Sequence, residues 1–278
     1  MARELSREQL KEADLQEFLE KESSFAFELE TQLALIGRGY ECEHGGTYHD
    51  PVTSKPRQFD LRARRIQKSY RFSVSIRLAV ECKKLHHGNP LLVSCVPRTF
   101  DESFFYLYMR HKYDSVTKRR PLEVEPIRSP YSQGDGVGKS LDQVGRAATK
   151  DKELVVTNSD IYEKWSQAVA SCHDLLPPLC VDSNAPDIIL VLPVLVVPDE
   201  TLWQVDFDGR GSVVTPPRKV DETTFYLGHR VHREVEHRIG HLHIVTSRGL
   251  LGLDAALSDE FLWRQVGHSA AVRLQAQE

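Results

Sequence analysis

The segment AVECKKL, residues 79–85, places a carboxylate and two ammonium groups at the end of a run that otherwise has the composition of a buried strand. Because side chains alternate between the two faces of a strand, Glu81 and Lys83 share one face and Cys82 lies on the other. Charges are costly at a buried position unless a partner needs them. The pair therefore indicates either a site that requires a carboxylate and an ammonium together or a surface ion pair.

Two further carboxylates precede this segment. Asp60 lies in the strand-like stretch QFDLRARR, and Glu28 lies in FAFELETQLALIG, where apolar residues recur at three- and four-residue steps. That spacing predicts a helix from about Ser24 to Gly37, with the glycine as its stop. The order is thus a helix with an acid, a strand with an acid, and a strand ending in Glu-x-Lys.

This order is similar to the PD-(D/E)xK nuclease superfamily, the fold of restriction endonucleases. Asp60 matches the Asp at the end of one strand of that fold, and ECK at 81–83 matches the (D/E)xK of the next. The helix FELETQLALIGRGY resembles the one that opens Mrr-type restriction-like domains. The likeness covers residues 25–85, and Phe59 stands where the family motif has proline.

The resemblance implies metal-dependent hydrolysis of phosphodiester bonds. Mg²⁺ (or Mn²⁺) prefers carboxylate and water oxygens. The implied ligands are Asp60, Glu81 and the backbone carbonyl of Cys82, with Glu28 holding a second metal or a metal-bound water. Lys83 would orient or deprotonate the attacking water and stabilise developing negative charge. Glu28, Asp60, Glu81 and Lys83 are therefore the expected catalytic residues.

The charge pattern around Asp60 favours a polyanionic partner. Residues 55–77 carry eight basic side chains and a single acid, Asp60. A basic field of this kind attracts nucleic acid, although a solvated hairpin face is the alternative. The side chains expected to bind nucleic acid are Arg62, Arg64, Arg65, Lys68 and Lys84.

Other elements are read from hydrophobic periodicity. The predicted elements are a surface helix over 4–22, an antiparallel hairpin of QFDLRARR with YRFSVSIRLAVECKKL, helices over 140–150 and 160–176, a buried strand PDIILVLPVLVVPD with TLWQVDFDG as its neighbour, a strand HLHIVTS and a closing helix ALSDEFLWRQV. The predicted fold class is α/β, with a restriction endonuclease-like core whose central mixed sheet is flanked by helices. We expect an accessory helix over 1–23 and one domain over 24–278, with an insertion at about 86–139 after the Glu-x-Lys strand.

Four further patterns carry less chemistry. GDGVGKS at 134–140 resembles a phosphate-binding loop but has Gln133 where that motif requires glycine, so we reject it. Gln143 follows on a predicted helix and is either an auxiliary to the metal site or a solvated side chain. Five histidines in HRVHREVEHRIGHLH lack the cysteines and spacing of common zinc sites. His241 and His243 would share a strand face, either near substrate phosphates or simply exposed, and we favour exposure. Aromatic residues at 104–108 fill the core or stack on bases.

Composition describes an ordinary soluble globular chain of 278 residues, with 40% hydrophobic residues and a net charge of −4. The apolar run at 188–197 is too short to span a bilayer and contains Pro193, so no membrane partner is expected. The start of the chain is charged and has no apolar signal segment. Five scattered cysteines, at 42, 82, 95, 172 and 180, fit reduced thiols, and the expected localisation is cytoplasmic.

The sequence therefore predicts a Mg²⁺-dependent endonuclease acting on DNA in restriction, phage defence or repair. Two alternatives stay open: a protein of the same fold that binds nucleic acid without cleaving it, and a nuclease directed at RNA. Restriction-like enzymes often dimerise. The acidic N-terminal segment, with nine acidic and four basic residues in 1–30, is the candidate contact for a homodimer.

Overall fold

The structure is a computed structural model that describes residues 9–51, 53–69, 71–113, 116–147, 151–176, 186–232 and 236–275. The α-helices are α1 (Glu12–Lys21), α2 (Phe25–Ile36), α3 (Ser159–Leu175), α4 (Ser247–Ser258) and α5 (Glu260–Gln275). The strands are β1 (Glu41–His49), β2 (Pro56–Ser69), β3 (Phe72–Cys82), β4 (Leu91–Pro97), β5 (Phe105–Tyr113), β6 (Val116–Val124), β7 (Gly136–Arg146), β8 (Leu154–Val156), β9 (Ile188–Val197), β10 (Leu202–Phe207), β11 (Val213–Lys219), β12 (Glu222–His232) and β13 (Glu236–Thr246).

A large mixed sheet organises these elements, with the main order β1-β2-β3-β9-β13-β12-β7-β4-β10-β11. Strands β1, β2 and β3 form an antiparallel meander, whereas β9 runs parallel to both β3 and β13. Strand β5 also pairs with β9 and carries β6 at its other edge. The predicted α/β class, a central mixed sheet flanked by helices, is confirmed at this level.

Both faces of β3 are covered, and the predicted alternation holds. Leu78, Val80 and Cys82 belong to the main core, which also contains Leu35 of α2 and Trp263 of α5. Ala79 packs on the opposite face in a cluster with Cys172 of α3. Because both faces are covered, a polar side chain on β3 is taken out of water.

Helix α2 forms as predicted, but its apolar residues do not all face the core. Thr31 and Leu35 are buried in α2, whereas Phe25, Leu33 and Ile36 are exposed. In α1, which begins at Glu12 within the described chain, Leu15, Phe18 and Leu19 are exposed as well. The expected dimer contact is therefore an apolar surface as well as an acidic one, and the homodimer stays a prediction.

Several expected elements are corrected. Residues 140–146 extend in β7 and are not helical, because β4 supplies an antiparallel partner for this stretch; Gln143 pairs with Leu91. The neighbours of β10 are β4 and β11, not the buried strand β9. The closing helix is two helices separated at Asp259, whose backbone is extended and whose carboxylate accepts the Phe261 N–H at 2.9 Å.

The segment 86–139, expected as an insertion, contains β4, β5, β6 and the start of β7. Strands β4 and β7 are central members of the sheet rather than an appendage to it. The four described cysteines are free thiols, as expected, and Cys180 lies outside the described residues. No described helix is long and apolar enough to cross a membrane.

Candidate active site

The hairpin of β2 and β3 brings two predicted acids together. Leu61 pairs with Val80, so the next positions along the ladder are Asp60 and Glu81. The Asp60 N–H donates to Glu81 Oε1 at 3.4 Å, and the Cys82 N–H donates to Asp60 Oδ2 at 2.8 Å. The backbone thus fixes both carboxylates at the same point of the sheet.

A lysine outside the predicted set of site residues completes this centre. Lys164 of α3 places its Nζ at 2.8 and 2.7 Å from the two Asp60 oxygens and at 3.1 Å from Glu81 Oε2. Its place in the helix offered a signal, since Lys164 lies three residues after buried Ile161 and four before buried Ala168. A lysine within the buried stripe of an amphipathic helix indicates a buried acidic partner.

Burial changes which groups of this centre carry a charge at neutral pH. Glu81 is fully buried, and this burial, reinforced by the charge of Asp60, raises its pKa to about 8 even though Lys164 acts in the opposite direction. Burial lowers the pKa of Lys164, but Glu81 and Asp60 outweigh that effect and raise it. Lys164 is therefore a cation, and the site has room for more positive charge.

Lys83 shares the Glu81 face, as expected, but contacts a different carboxylate. Its Nζ lies 3.3 Å from Asp160 Oδ2 at the start of α3. The Lys83 charge is the main cause of the lowered pKa of Asp160. Both side chains line a cleft of about 580 Å³ that is also lined by Asp60 and Lys164. Lys83 therefore stands beside the two-carboxylate centre without touching it.

Glu28 contacts a histidine and not the two carboxylates of that centre. Its Oε2 is 3.1 Å from His44 Nε2 of β1. Across the described residues, no three His, Cys, Asp or Glu side chains are grouped so as to hold a metal ion. Cys82 contributes its backbone N–H to Asp60, while burial raises the pKa of its thiol well above the usual range. The roles predicted for Glu28 and for the Cys82 carbonyl stay predictions.

Helix α3 covers the centre and is attached to the hairpin at several points. The Tyr48 hydroxyl donates to the Gln167 carbonyl at 3.4 Å, and Arg57 lies 3.6 Å from Glu163. With the contacts of Lys83 and Lys164, these bonds hold the first half of α3 against β1, β2 and β3. Asp60 and Lys164 therefore line the cleft beside α3, whereas Glu81 is fully buried.

The basic side chains of the hairpin are not equivalent. Arg62 donates to Ser171 and Asp174 of α3, and Arg65 donates to Asp254 of α4 at 2.6 Å. These two arginines therefore attach helices to the sheet. Arg64 and Lys68 are exposed. Lys84 Nζ donates to the Glu20 carbonyl at 2.5 Å.

The remaining candidates lie away from the cleft. Gln143 is in β7, and its N–H donates to Asn158. His241 and His243 are buried, so their expected exposure is wrong. The rings of both histidines pack against the ring of Tyr131. The side chains of His229, His232 and His237 lie outside the described residues. Phe105 is in the core, as the default interpretation of the aromatic run expected.

Comparison of the chain with protein-family models, with curated proteins and with solved structures returned no match. The fold and the site together define an α/β protein with a large mixed sheet and a buried centre of two carboxylates and one lysine.

Proposed function

We propose that the protein is a metal-dependent nuclease with a restriction endonuclease-like core, and that its substrate is DNA. The observation that carries this proposal is the convergence of Asp60 and Glu81 on a single cation position. In the structure, the Lys164 ammonium occupies that position. The proposed setting, restriction, phage defence or repair, rests on the resemblance of residues 25–85 to that fold.

The donor set fits a hard divalent cation. Mg²⁺ is typically bound through one or two carboxylates together with waters and substrate phosphate, so a third protein carboxylate is not needed. The raised pKa of Glu81 supports the same conclusion, because a carboxyl that holds a proton near neutral pH gains from additional positive charge. Asp60 and Glu81 would hold Mg²⁺ or Mn²⁺, which supplies charge neutralisation at phosphate and acidifies a bound water.

The lysines of the site have separate tasks. Lys83 lines the cleft next to Asp60, where its ammonium would contact the substrate phosphate and orient or deprotonate the attacking water. Lys164 holds the two carboxylates together in the absence of a divalent cation, and its displaced ammonium would remain within reach of the phosphate. Asp160 positions Lys83 through the ion pair between them.

A cleavage assay tests this function. Purified protein is incubated with plasmid, linear duplex, single-stranded DNA and RNA, in Mg²⁺, Mn²⁺, Ca²⁺ or EDTA. We expect cleavage with Mg²⁺ or Mn²⁺, because both accept octahedral oxygen ligands, and binding with little turnover in Ca²⁺, whose coordination is looser. The matched control is Glu81→Gln, which keeps the side-chain volume and cannot become a carboxylate when the metal binds.

Strong cleavage in EDTA, or equal cleavage by Glu81→Gln, would contradict the metal mechanism. Binding of duplex DNA in Mg²⁺ without any product identifies the alternative protein that binds nucleic acid but does not cut it. Cleavage confined to RNA identifies the RNA-directed nuclease.

The exposed basic side chains of β2 give a second prediction. We expect Arg64→Ala with Lys68→Ala to weaken duplex binding for every sequence and to lower the slope of log affinity against log salt by about 2, since each exposed cation releases about one counterion from the phosphate backbone. Binding is measured by fluorescence anisotropy from 50 to 200 mM salt, a range over which the Debye length falls about twofold. The control is Lys118→Ala with Lys152→Ala, two exposed lysines outside residues 55–77. An unchanged slope would place the nucleic acid on another surface.

A further inference from the structure

A second cavity lies on the opposite side of the sheet from the candidate active site. Its volume is about 430 Å³, and it lies between the sheet and helices α4 and α5. Leu192 of β9 lines the cavity and belongs to the main core. Ala79, which lies on the same face of β3 as Glu81, packs against α3 in a different cluster. The cavity and the candidate active site are therefore on opposite faces of the sheet. The volume falls in the range of sites that enclose a small organic molecule.

The cavity has one buried cation. Arg98, which follows β4, is only 5% exposed, and it donates to Thr224 Oγ1 at 2.7 Å and to the Ser132 carbonyl at 3.2 Å. Its Nε has no hydrogen-bond partner, and none of the described carboxylates lies within ion-pair distance of its guanidinium, although the charges of Asp135 and Glu102 act on it from farther away. Because no carboxylate contacts this buried charge, an anion in the cavity would be favoured.

Neighbouring aromatic groups extend the polar wall. The Tyr131 ring lies 5.3 Å from the Arg98 guanidinium carbon, and its hydroxyl is 2.9 Å from His243 Nε2. His243 Nδ1 has no hydrogen-bond partner in the described structure. The pKa of nearby His241 is lowered to about 2 by burial and by the charge of Arg98, so His241 is neutral and Arg98 remains the buried positive group.

The opposite wall and the rim of the cavity indicate the polarity and the charge of the ligand. Phe105, Leu253 and Leu257 are buried apolar side chains along the cavity, and Phe261 is exposed beside them. The acids that line the cavity are all exposed: Asp135, Glu222 and Asp259. Three solvated acids at the rim oppose a polyanion more strongly than a single charge, which argues against nucleic acid as the occupant.

We propose that this cavity is a binding site for an amphipathic organic monoanion, with the anionic group against Arg98 and the apolar body between α4, α5 and β5. The site is separate from the nuclease centre, and its existence does not depend on nuclease activity.

Two fluorescent probes of the same shape test the proposal. 8-Anilinonaphthalene-1-sulfonate carries one negative charge, and N-phenyl-1-naphthylamine has the same aromatic body without it. We expect one equivalent of the sulfonate to bind, at least about tenfold more tightly than the neutral probe, a ratio worth about 1.4 kcal/mol. Octanoate should displace the sulfonate and octanol should not.

Substitutions test whether Arg98 contacts the anionic group and whether the probes bind in this cavity. Arg98→Met should weaken sulfonate binding by about tenfold and leave the neutral probe within about twofold, whereas Arg128→Met, at the less buried arginine of the same cavity, should change both by less than about threefold. Ala256→Trp fills the cavity from an exposed position of α4 and should weaken both probes, which tests the site even if Arg98→Met does not fold.

Equal affinity for the two probes, or equal effects of Arg98→Met and Arg128→Met, would overturn the proposal. Unchanged binding by Ala256→Trp would place the probes elsewhere. Because the sulfonate also binds partly unfolded chains, near-ultraviolet circular dichroism of each variant must match the parent, and binding seen only when that signal is lost counts against the site.

Discussion

Lys164→Met is expected to lower the free energy of unfolding by about 3 kcal/mol at pH 9, the size measured when one partner of a buried ion pair is removed. Lys164 is the cation that touches both Asp60 and Glu81, and its side chain is mostly buried. Methionine keeps much of the aliphatic volume, so the lost charge dominates the effect. Urea unfolding of the parent and the variant measures the difference.

The pH dependence distinguishes this cause from a packing defect. The pKa of Glu81 is raised above its unfolded value, to about 8, so the stability that comes from its protonated form is present at low pH and is lost as pH rises through about 8. Without Lys164 this pKa rises further, and the loss continues above pH 8. The effect of Lys164→Met should therefore be about half as large at pH 6 as at pH 9, because Glu81 is protonated in both proteins at pH 6.

Lys83→Met is the matched control, because it removes a lysine from the same cleft whose partner Asp160 is largely exposed. Its cost should be below about 1 kcal/mol at both pH values. Adding Mg²⁺ gives a second measurement. Mg²⁺ should raise the free energy of unfolding of Lys164→Met more than that of the parent, by up to about 2.7 kcal/mol when its concentration is a hundred times its dissociation constant. Equal losses for the two variants, or a Mg²⁺ effect no larger in Lys164→Met, would show that the ammonium does not occupy a cation site.

The hairpin and its two acids were predictable because the information is local. Alternation in β3 assigns Glu81 and Lys83 to one face, and the short connection to β2 sets the register that brings Asp60 beside Glu81. No comparable local rule places α3. Lys164 lies far along the chain from Glu81, and strands β4 to β8 lie between them in the sequence.

The wrong predictions also arose where contacts between distant parts of the chain decide the structure. The stretch at 140–146 carries polar and apolar residues in an order that a helix also accommodates, and pairing with β4 decides for a strand. His241 and His243 lie in a segment rich in basic residues, which is typical of a surface, yet β13 is a central strand between β9 and β12. Periodicity describes a segment's preference for one face, whereas its position in the sheet decides whether that face is buried.

The strongest separation of roles within the proposed site is expected from Asp60→Ala, Lys83→Ala and Asp160→Ala. Asp60→Ala removes a carboxylate of the cation position, so it should abolish cleavage and weaken metal binding together. Lys83→Ala removes a positive charge beside that position and no ligand. It should keep or slightly tighten metal binding, since a neighbouring cation repels Mg²⁺, and should lower cleavage by about two orders of magnitude or more.

Asp160→Ala distinguishes catalysis by Lys83 from its structural ion pair. It breaks the same 3.3 Å contact but leaves the Lys83 ammonium in the cleft. If the pair were only structural, Lys83→Ala and Asp160→Ala would have equal effects on cleavage. We expect Asp160→Ala to lose less than about tenfold, because a mobile lysine still reaches the phosphate. Calorimetric Mg²⁺ titration and single-turnover cleavage of all three variants decide between the two roles, and normal cutting by Lys83→Ala would reduce the Glu-x-Lys motif to a surface ion pair.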